Sequence, residues 1–334
     1  MYGGGSSIIG NAYDVPTMAG FATPWLEQTD DAIGLAFSGD GAGIALIRAK
    51  VTGELRYSIW TGSWSPGFGA AMLPVQVGLL IAGGPSLAGS SLRGHAAYQG
   101  VDMKFYYAEE MGAFWSPTNE PIKNGAVQAS GPAPPTITTL SDNPVIAFIG
   151  NDGDLYDQAR MGGVWQPASA HGIAGQAAGI TPAIVALTQG PELLIVYTDA
   201  AAHDLKFTTR SLGVWSAPAV IAGASSDDPV SLAPLEAGGA VLSYRGKGGH
   251  LHTSLLSANA PPTWSAPISG VMGADPTIVS PPAVAKGAIG AEAELYYLDT
   301  NVFTVYSARM TNGAWGAASF AGTASARLAI ATGK

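Results

Sequence analysis

The regularly spaced tryptophans are the candidate ligand-binding residues of this chain. An indole ring can stack on the flat face of a ligand such as a sugar. Six tryptophans recur at intervals of 49 to 51 residues and share similar flanking residues. They are Trp64 in GSWSPG, Trp115 in AFWSPT, Trp165 in GVWQPA, Trp215 in GVWSAP, Trp264 in PTWSAP and Trp315 in GAWGAA. Each is a candidate ligand platform, and the alternative is that each packs one repeat against the next.

Catalytic chemistry has little support in the sequence. Arg160, Arg210 and Arg309 could suggest an arginine cluster that clamps a carboxylate. They follow LYDQA, KFTT and VYSA in three repeats, so we expect equivalent positions that point in different directions and do not converge on one substrate. The carboxylate pairs are sequence neighbours in loops, which splays their side chains apart instead of aiming both at a glycosidic bond. These pairs are Asp30 with Asp31, Glu109 with Glu110 and Asp227 with Asp228. We therefore predict that the protein is not an enzyme.

Metal and cofactor sites are not predicted either. Asp152 and Asp154 in NDGDLYD resemble part of a calcium loop, but the segment aligns with a turn in every other repeat and lacks the distal glutamate. His250 and His252 share one face of a strand without an obvious third ligand. The sequence has no phosphate-binding glycine motif ahead of a helix and no HExxH motif.

The composition limits the partners. Of 334 residues, 47% are hydrophobic and 12% are charged, and the net charge is −9 with only 15 lysines and arginines, which are scattered. Nucleic acids and anionic membranes are therefore poor partners. There is no cysteine, no apolar run long enough to span a membrane, and no signal peptide in the given chain. We expect no membrane insertion; the localisation stays open, with an extracellular or cell-surface place reached by a non-classical route as one alternative.

The repeat that carries each tryptophan reads as four short strands. In the repeat that ends at Trp215, the segments PAIVALTQG, ELLIVYTDA, DLKFTTRS and GVWSAPAVI are apolar or alternating and are separated by turn residues. No segment shows a sustained helical period. Four antiparallel strands in about fifty residues describe one blade of a β-propeller. We therefore predict an all-β protein with a single β-propeller domain over residues 1–334.

The two ends of the chain bear on the number of blades. Six full units lie between residues 31 and 322. The head, 1–30, carries SIIGN, AYDVPTM and AGFATPW, while the tail, 323–334, carries ARLAIATG, which is similar to a first strand. We predict that head and tail combine into a seventh, split blade that closes the ring and leaves no free edge. Six blades is the alternative.

The segments LIVYTDAAAHDLKFTTRSLGVWSAPAVI and VLSYRGKGGHLHTSLL…TWSAPISG resemble repeats of the seven-bladed β-propeller lectins of bacteria. The resemblance extends over nearly the whole chain, and it implies shallow sugar pockets on the ring or between blades. It adds Tyr197, Tyr244 and Arg245 to the six tryptophans as candidate ligand-binding residues. Six-bladed fucose lectins are a second comparison: GIALIRAKVTGELRYSIWTGSWS is similar to them, but Tyr57 stands where that family has a glutamate.

The leading functional prediction is a lectin with several weak and similar sugar sites, which would become useful through multivalent binding to glycans or glycoconjugates. One alternative is a non-catalytic protein-interaction propeller, or a module of a toxin or surface assembly. A glycosidase-like enzyme is the third and the weakest reading. Assembly into a homo-oligomer is left open.

Overall fold

The computed structural model describes residues 34–37, 43–60, 63–65, 73–76, 78–91, 93–111, 115–116, 119–259, 261–271, 275–287, 290–300 and 304–323. Within these ranges the chain contains no helix and forms six large antiparallel sheets that follow one another along the chain, besides one two-stranded hairpin. Each large sheet has four or five strands in sequence order, which is the architecture of propeller blades. The all-β propeller prediction is confirmed. Among the described residues, no helix is long and apolar enough to cross a membrane.

Each blade runs outward from the axis in chain order, and in most blades the outermost strand is divided into two short segments that both pair with the third strand. Blade 1 consists of β1 (Gly34–Phe37), β2 (Gly43–Arg48), β3 (Leu55–Trp60), β4 (Trp64–Ser65) and β5 (Leu73–Pro74). Blade 2 consists of β6 (Ser86–Gly89), β7 (Gly94–Gln99), β8 (Phe105–Glu109) and β9 (Glu120–Pro121), followed by a hairpin of β10 (Lys123–Asn124) and β11 (Val127–Gln128). Blade 3 consists of β12 (Thr136–Leu140), β13 (Asn143–Ile149), β14 (Leu155–Met161), β15 (Val164–Trp165) and β16 (Ser169–Ala170).

The second half of the chain repeats this plan. Blade 4 consists of β17 (Ala183–Ala186), β18 (Leu193–Thr198), β19 (Asp204–Ser211), β20 (Val214–Trp215) and β21 (Ala219–Ser225). Blade 5 consists of β22 (Ser231–Pro234), β23 (Ala240–Arg245), β24 (Leu251–Leu256) and β25 (Ile268–Ser269). Blade 6 consists of β26 (Ala283–Lys286), β27 (Ala293–Leu298), β28 (Thr304–Thr311), β29 (Ala314–Trp315) and β30 (Ser319–Thr323).

Six blades are found, which is the alternative count, and a seventh is not supported. The residues assigned to the split blade, 1–30 and 323–334, lie outside the described residues except for the last residue of β30. The strands of the six described blades lie between residues 34 and 323.

The second strand of each blade is mostly buried, which explains its high apolar content. Strands β7 and β18 are buried at all six positions, because each lies in the middle of a sheet that is covered by a neighbouring blade on both faces. The third strands mix buried with partly exposed positions, as β14 and β19 do. The core is accordingly a series of wedges between consecutive blades, and the described part contains five of them.

The innermost strands surround a funnel of about 690 Å³ that is lined by residues from all six blades. Hydroxyl groups join some of these strands across blade boundaries. The backbone N–H of Ile137 donates to Ser86 Oγ at 3.1 Å, and that of Val284 donates to Ser231 Oγ at 3.0 Å. These bonds satisfy backbone groups that no strand of the same blade reaches.

Candidate functional site

The repeated tryptophans lie in the wedges between blades. Trp115, Trp165 and Trp315 are only 3%, 8% and 8% exposed, and Trp215 and Trp264 are partly buried. Each described ring contacts the preceding blade. Four rings meet an aromatic side chain edge to face: Trp115 meets Tyr57, Trp165 meets Tyr107, Trp215 meets His171 and Trp264 meets Phe207. The indole N–H of Trp315 donates to Thr253 Oγ1 at 3.0 Å. This placement is that of packing residues.

The other candidate residues are not brought together. Trp64 lies on β4, where its backbone pairs with Trp60, and its side chain is outside the described part of the structure. Tyr197 and Tyr244 are buried, and burial raises the pKa of both hydroxyls, that of Tyr197 to about 12. Arg245 forms an ion pair with Asp228 at 3.1 Å, at the end of the ring where the second and third strands are joined.

The three arginines of the possible cationic cluster do not converge. Arg160 and Arg210 are equivalent, because each pairs with the tryptophan of its own blade. Arg309 is not, since Met310 takes that position opposite Trp315. A shift of one residue along a strand reverses the face of the side chain, so Arg309 lies on the other face of its blade. The predicted equivalence of Arg309 is therefore wrong, while the expected lack of convergence agrees with the structure.

The predicted turn reading of NDGDLYD agrees with the contacts. Asp152 accepts hydrogen bonds from the Asp154 backbone N–H and the Tyr156 hydroxyl, and Asp154 accepts from the backbone of Gly172 and Ile173. Both carboxylates thus stabilise turns. No group of three His, Cys, Asp or Glu side chains that could hold a metal ion occurs in the described ranges.

A pocket of about 320 Å³ lies in the cleft between blades 2 and 3. It is lined by residues of β8, β9, their connection and β14: Tyr107, Glu109, Ser116, Asn119, Glu120, Pro121 and Arg160. The register explains how these residues meet. Glu120 is paired with Tyr107 across the outer edge of blade 2, Glu109 follows Tyr107 by two residues on the same face, and Arg160 reaches across from blade 3.

Arg160 is the centre of this pocket. Its Nη2 lies 2.9 Å from Glu120 Oε2 and its Nε lies 3.3 Å from Glu120 Oε1, an arrangement that fixes the guanidinium plane. Its Nη1 is 3.8 Å from Glu109 Oε2, and Glu109 also pairs with Arg93. The pocket therefore offers two carboxylates with remaining acceptor capacity and one oriented guanidinium.

Tyr107 forms the apolar floor, but its ring is already surrounded. The Arg160 guanidinium lies 4.9 Å above the ring centroid, and Trp165 meets the ring edge to face at 5.5 Å. His95 stacks at 6.0 Å, and its Nδ1 is 2.6 Å from the Tyr107 hydroxyl. Burial of the His95 ring lowers its pKa to about 4, although the nearby Glu109 carboxylate opposes part of that shift. Recognition in this pocket therefore depends on hydrogen bonds more than on stacking.

The four positions that build the pocket carry other residues in the other four described clefts. The residues are given in the order of Tyr107, Glu109, Glu120 and Arg160. The cleft between blades 1 and 2 has Tyr57, Ile59, Leu73 and Glu110, and that between blades 3 and 4 has Asp157, Ala159, Ser169 and Arg210. The cleft between blades 4 and 5 has Phe207, Thr209, Ala219 and Leu256, and that between blades 5 and 6 has Thr253, Leu255, Ile268 and Met310. Among the described clefts, only that between blades 2 and 3 combines an aromatic ring, two glutamates and an arginine.

Comparison with known proteins shows the fold. No family model matches the chain, and no curated protein matches it. A lectin from Burkholderia pseudomallei, BP39L, is 15% identical with a TM-score of 0.67 over 84% of this chain and 80% of that one. AofleA from Arthrobotrys oligospora is 10% identical with a TM-score of 0.59 over 92% and 88%. A six-bladed β-propeller lectin of Aleuria aurantia, described with a fucose recognition mode, is 14% identical with a TM-score of 0.55 over 88% and 98%.

Proposed function

We propose that the protein is a non-catalytic lectin whose principal sugar site is the pocket between blades 2 and 3. The observation that carries the proposal is the set of Tyr107, Glu109, Glu120 and Arg160, which is complete in one described cleft. The Burkholderia and Aleuria proteins of similar fold are lectins, and a further solved structure of that fold, SapL1, is a lectin in complex with a methyl fucoside. Since those identities are low, the argument depends on the chemistry of the pocket.

That chemistry suits a neutral sugar. A carboxylate accepts hydrogen bonds from adjacent hydroxyl groups, and a fixed guanidinium donates to a ring or hydroxyl oxygen. Pro121 supplies apolar surface for the C–H face of a sugar ring. Because Arg160 is paired with both glutamates, it has little charge left for an acidic sugar.

The geometry changes the expected number of sites. The repeated tryptophans predict several similar sites, yet the described rings pack against the preceding blade. We therefore propose one principal site per chain, in place of several equivalent ones. Multivalent binding would then require several copies of the chain.

The rival functions are weaker. A glycosidase needs one carboxyl as proton donor, whereas Glu109 and Glu120 both act as ion-pair acceptors of Arg160. A protein-interaction propeller, or a module of a toxin or surface assembly, remains the alternative if no sugar binds.

The test is a glycan array with the wild-type protein, followed by calorimetric titration of the best sugar. We expect about one site per chain, and we expect Arg160→Met to weaken binding about 100-fold, because it leaves Glu120 unpaired and removes the donor. Arg210→Met is the matched control in the next cleft and should leave the affinity unchanged. No binding to any glycan, or equal losses in both variants, would contradict the proposal.

A further inference from the structure

Two neighbouring hairpins expose apolar side chains at their tips. Met161 and Val164 flank the β14–β15 turn of blade 3, and Leu212 and Val214 occupy the β19–β20 turn of blade 4. We call these four residues the hairpin patch. All four side chains are exposed, and that of Leu212 is 93% exposed. Single apolar residues on a surface are ordinary, but four on two adjacent tips are not scattered.

The backbone conformation of Leu212 shows that a leucine at this position does not favour folding. Its φ is +51°, in the left-handed region that a bulky side chain disfavours. The equivalent positions hold Gly162 and Asn312, which are residue types preferred in such two-residue turns. Leucine at this position is therefore strained and is also held in water, with no packing in return. A strained backbone and an exposed apolar side chain both destabilise the free protein, and a contact between Leu212 and a partner would explain why they are present.

The hairpin patch lies at the same end of the ring as the sugar pocket. The third strands of all blades run in the same direction, so the β14–β15 and β19–β20 turns are at one end, opposite the turns that join second and third strands. Arg160 immediately precedes Met161 at that end. The hairpin tips of adjacent blades project from the same end of the ring to a similar height. Such a shape can contact a flat surface better than it can fill a groove.

The charges near the hairpin patch are neutralised. The residues of the two turns, 161–164 and 211–214, carry no charged side chain. The arginines beside them are paired, Arg160 with Glu120 at 2.9 Å and Arg210 with Glu192 at 3.5 Å. With a net charge of −9, the protein would be repelled by anionic lipids. The surface that matches uncharged apolar tips is therefore a lipid surface without net charge.

We propose that the hairpin patch contacts the surface of a zwitterionic lipid bilayer, so that the neighbouring pocket meets sugars displayed on that bilayer. The contact is peripheral: the tips enter the interface between headgroups and acyl chains, without any spanning segment. The part of the proposal that concerns the displayed sugar rests on the proposed lectin function, while the lipid contact itself does not.

The experiment is flotation of the full chain with phosphatidylcholine vesicles, alone and carrying a lipid-linked form of the sugar found on the array. We expect wild type to bind the plain vesicles weakly and the sugar-bearing vesicles more tightly than the free sugar. Leu212→Asn should lower the partition coefficient for both kinds of vesicle about tenfold. This is the lower limit of the change expected when a leucine side chain is transferred from an apolar medium to water. It should leave the affinity for free sugar unchanged.

Two controls make the outcome decisive. Leu212→Asn places the residue found at Asn312 in the same turn, so a thermal midpoint no lower than wild type is expected and a folding defect is not. Val51→Asn changes a side chain that is 94% exposed in the turn between β2 and β3, at the opposite end of the ring, and should have no effect. Absence of binding to plain vesicles, or an equal loss in both variants, overturns the lipid contact. If no sugar binds but the plain-vesicle result holds, the lectin proposal fails and the lipid contact stands.

Discussion

The cleft between blades 2 and 3 and the cleft between blades 5 and 6 are built on the same frame and have opposite contents. In both, a tryptophan of the later blade that is 8% exposed enters the wedge: Trp165 in one and Trp315 in the other. In the first cleft, Trp165 packs in an apolar cluster, and Glu109, Glu120 and Arg160 form a polar pocket beside it. The second surrounds its tryptophan with Val241, Leu255 and Met310.

The comparison shows which positions decide whether a cleft is a site. The tryptophan is common to both clefts and supplies the packing between blades. The residues at the positions of Tyr107, Glu109, Glu120 and Arg160 differ: they form a polar pocket in one cleft, whereas three of the four are apolar in the other. A propeller can thus change the chemistry of one cleft while its neighbours continue to stabilise the ring.

The largest expected effect comes from placing the arginine of the polar cleft in the apolar one. Met310 is fully buried, and the glutamate positions of that cleft hold Leu255 and Ile268. Met310→Arg would therefore bury a charge without a partner and should lower the free energy of unfolding by about 4 kcal/mol. Urea denaturation measures this loss.

A rescue variant sharpens the result. Met310→Arg combined with Leu255→Glu and Ile268→Glu restores the acidic partners, so part of the lost stability should return. If Met310→Arg alone is tolerated within about 1 kcal/mol, as surface substitutions usually are, the contrast between the clefts is wrong.

The second effect is a pH dependence that only the polar cleft should show. The pKa of His95 is lowered by burial to about 4, against about 6.5 when the chain is unfolded. Above pH 6.5 the His95 ring is neutral in both the folded and the unfolded state, so it does not lower the stability of the folded protein. As the pH falls from 6.5 to 4, the unfolded chain binds the proton and the folded protein does not, so His95 should remove about 3 kcal/mol of stability.

The measurement compares urea unfolding of wild type and His95→Gln across that range. The variant keeps a side chain that can bond the Tyr107 hydroxyl but does not titrate, so the difference in slope isolates His95. Val241 occupies the corresponding position in the cleft between blades 5 and 6, and it has no proton to bind. Parallel pH profiles for the two proteins would show that His95 is not held neutral.

The sequence predicted the blades because their signal is periodic. The tryptophan interval and the turn residues recur in every unit, and the second strands are rich in apolar residues because both of their faces are covered. The chain ends carry no such period, and the predicted seventh blade depended on similarity of short segments alone. The error at Arg309 has the same origin: a shift of one residue cannot be seen in flanking letters, yet it reverses the face of a strand.

The candidate pocket was harder to predict because it joins residues that are distant along the chain. Glu120 becomes recognisable only when its pairing with Tyr107 is known, and Arg160 belongs to the next blade. Spacing showed that the tryptophans are equivalent, but it could not show what each ring faces. That depends on a side chain of the preceding blade, such as Tyr107 or Thr253.

The smallest effect separates the two tryptophans themselves. Trp315→Phe removes a buried indole N–H that donates to Thr253 Oγ1, whereas the indole N–H of Trp165 has no partner among the described residues. Both rings are 8% exposed, so the lost volume is matched. Trp315→Phe should therefore lower the free energy of unfolding by about 1 kcal/mol more than Trp165→Phe, the usual net value of one hydrogen bond. Urea denaturation of both variants gives the difference, and equal losses would mean that the hydroxyl at Thr253 contributes nothing to the apolar cleft.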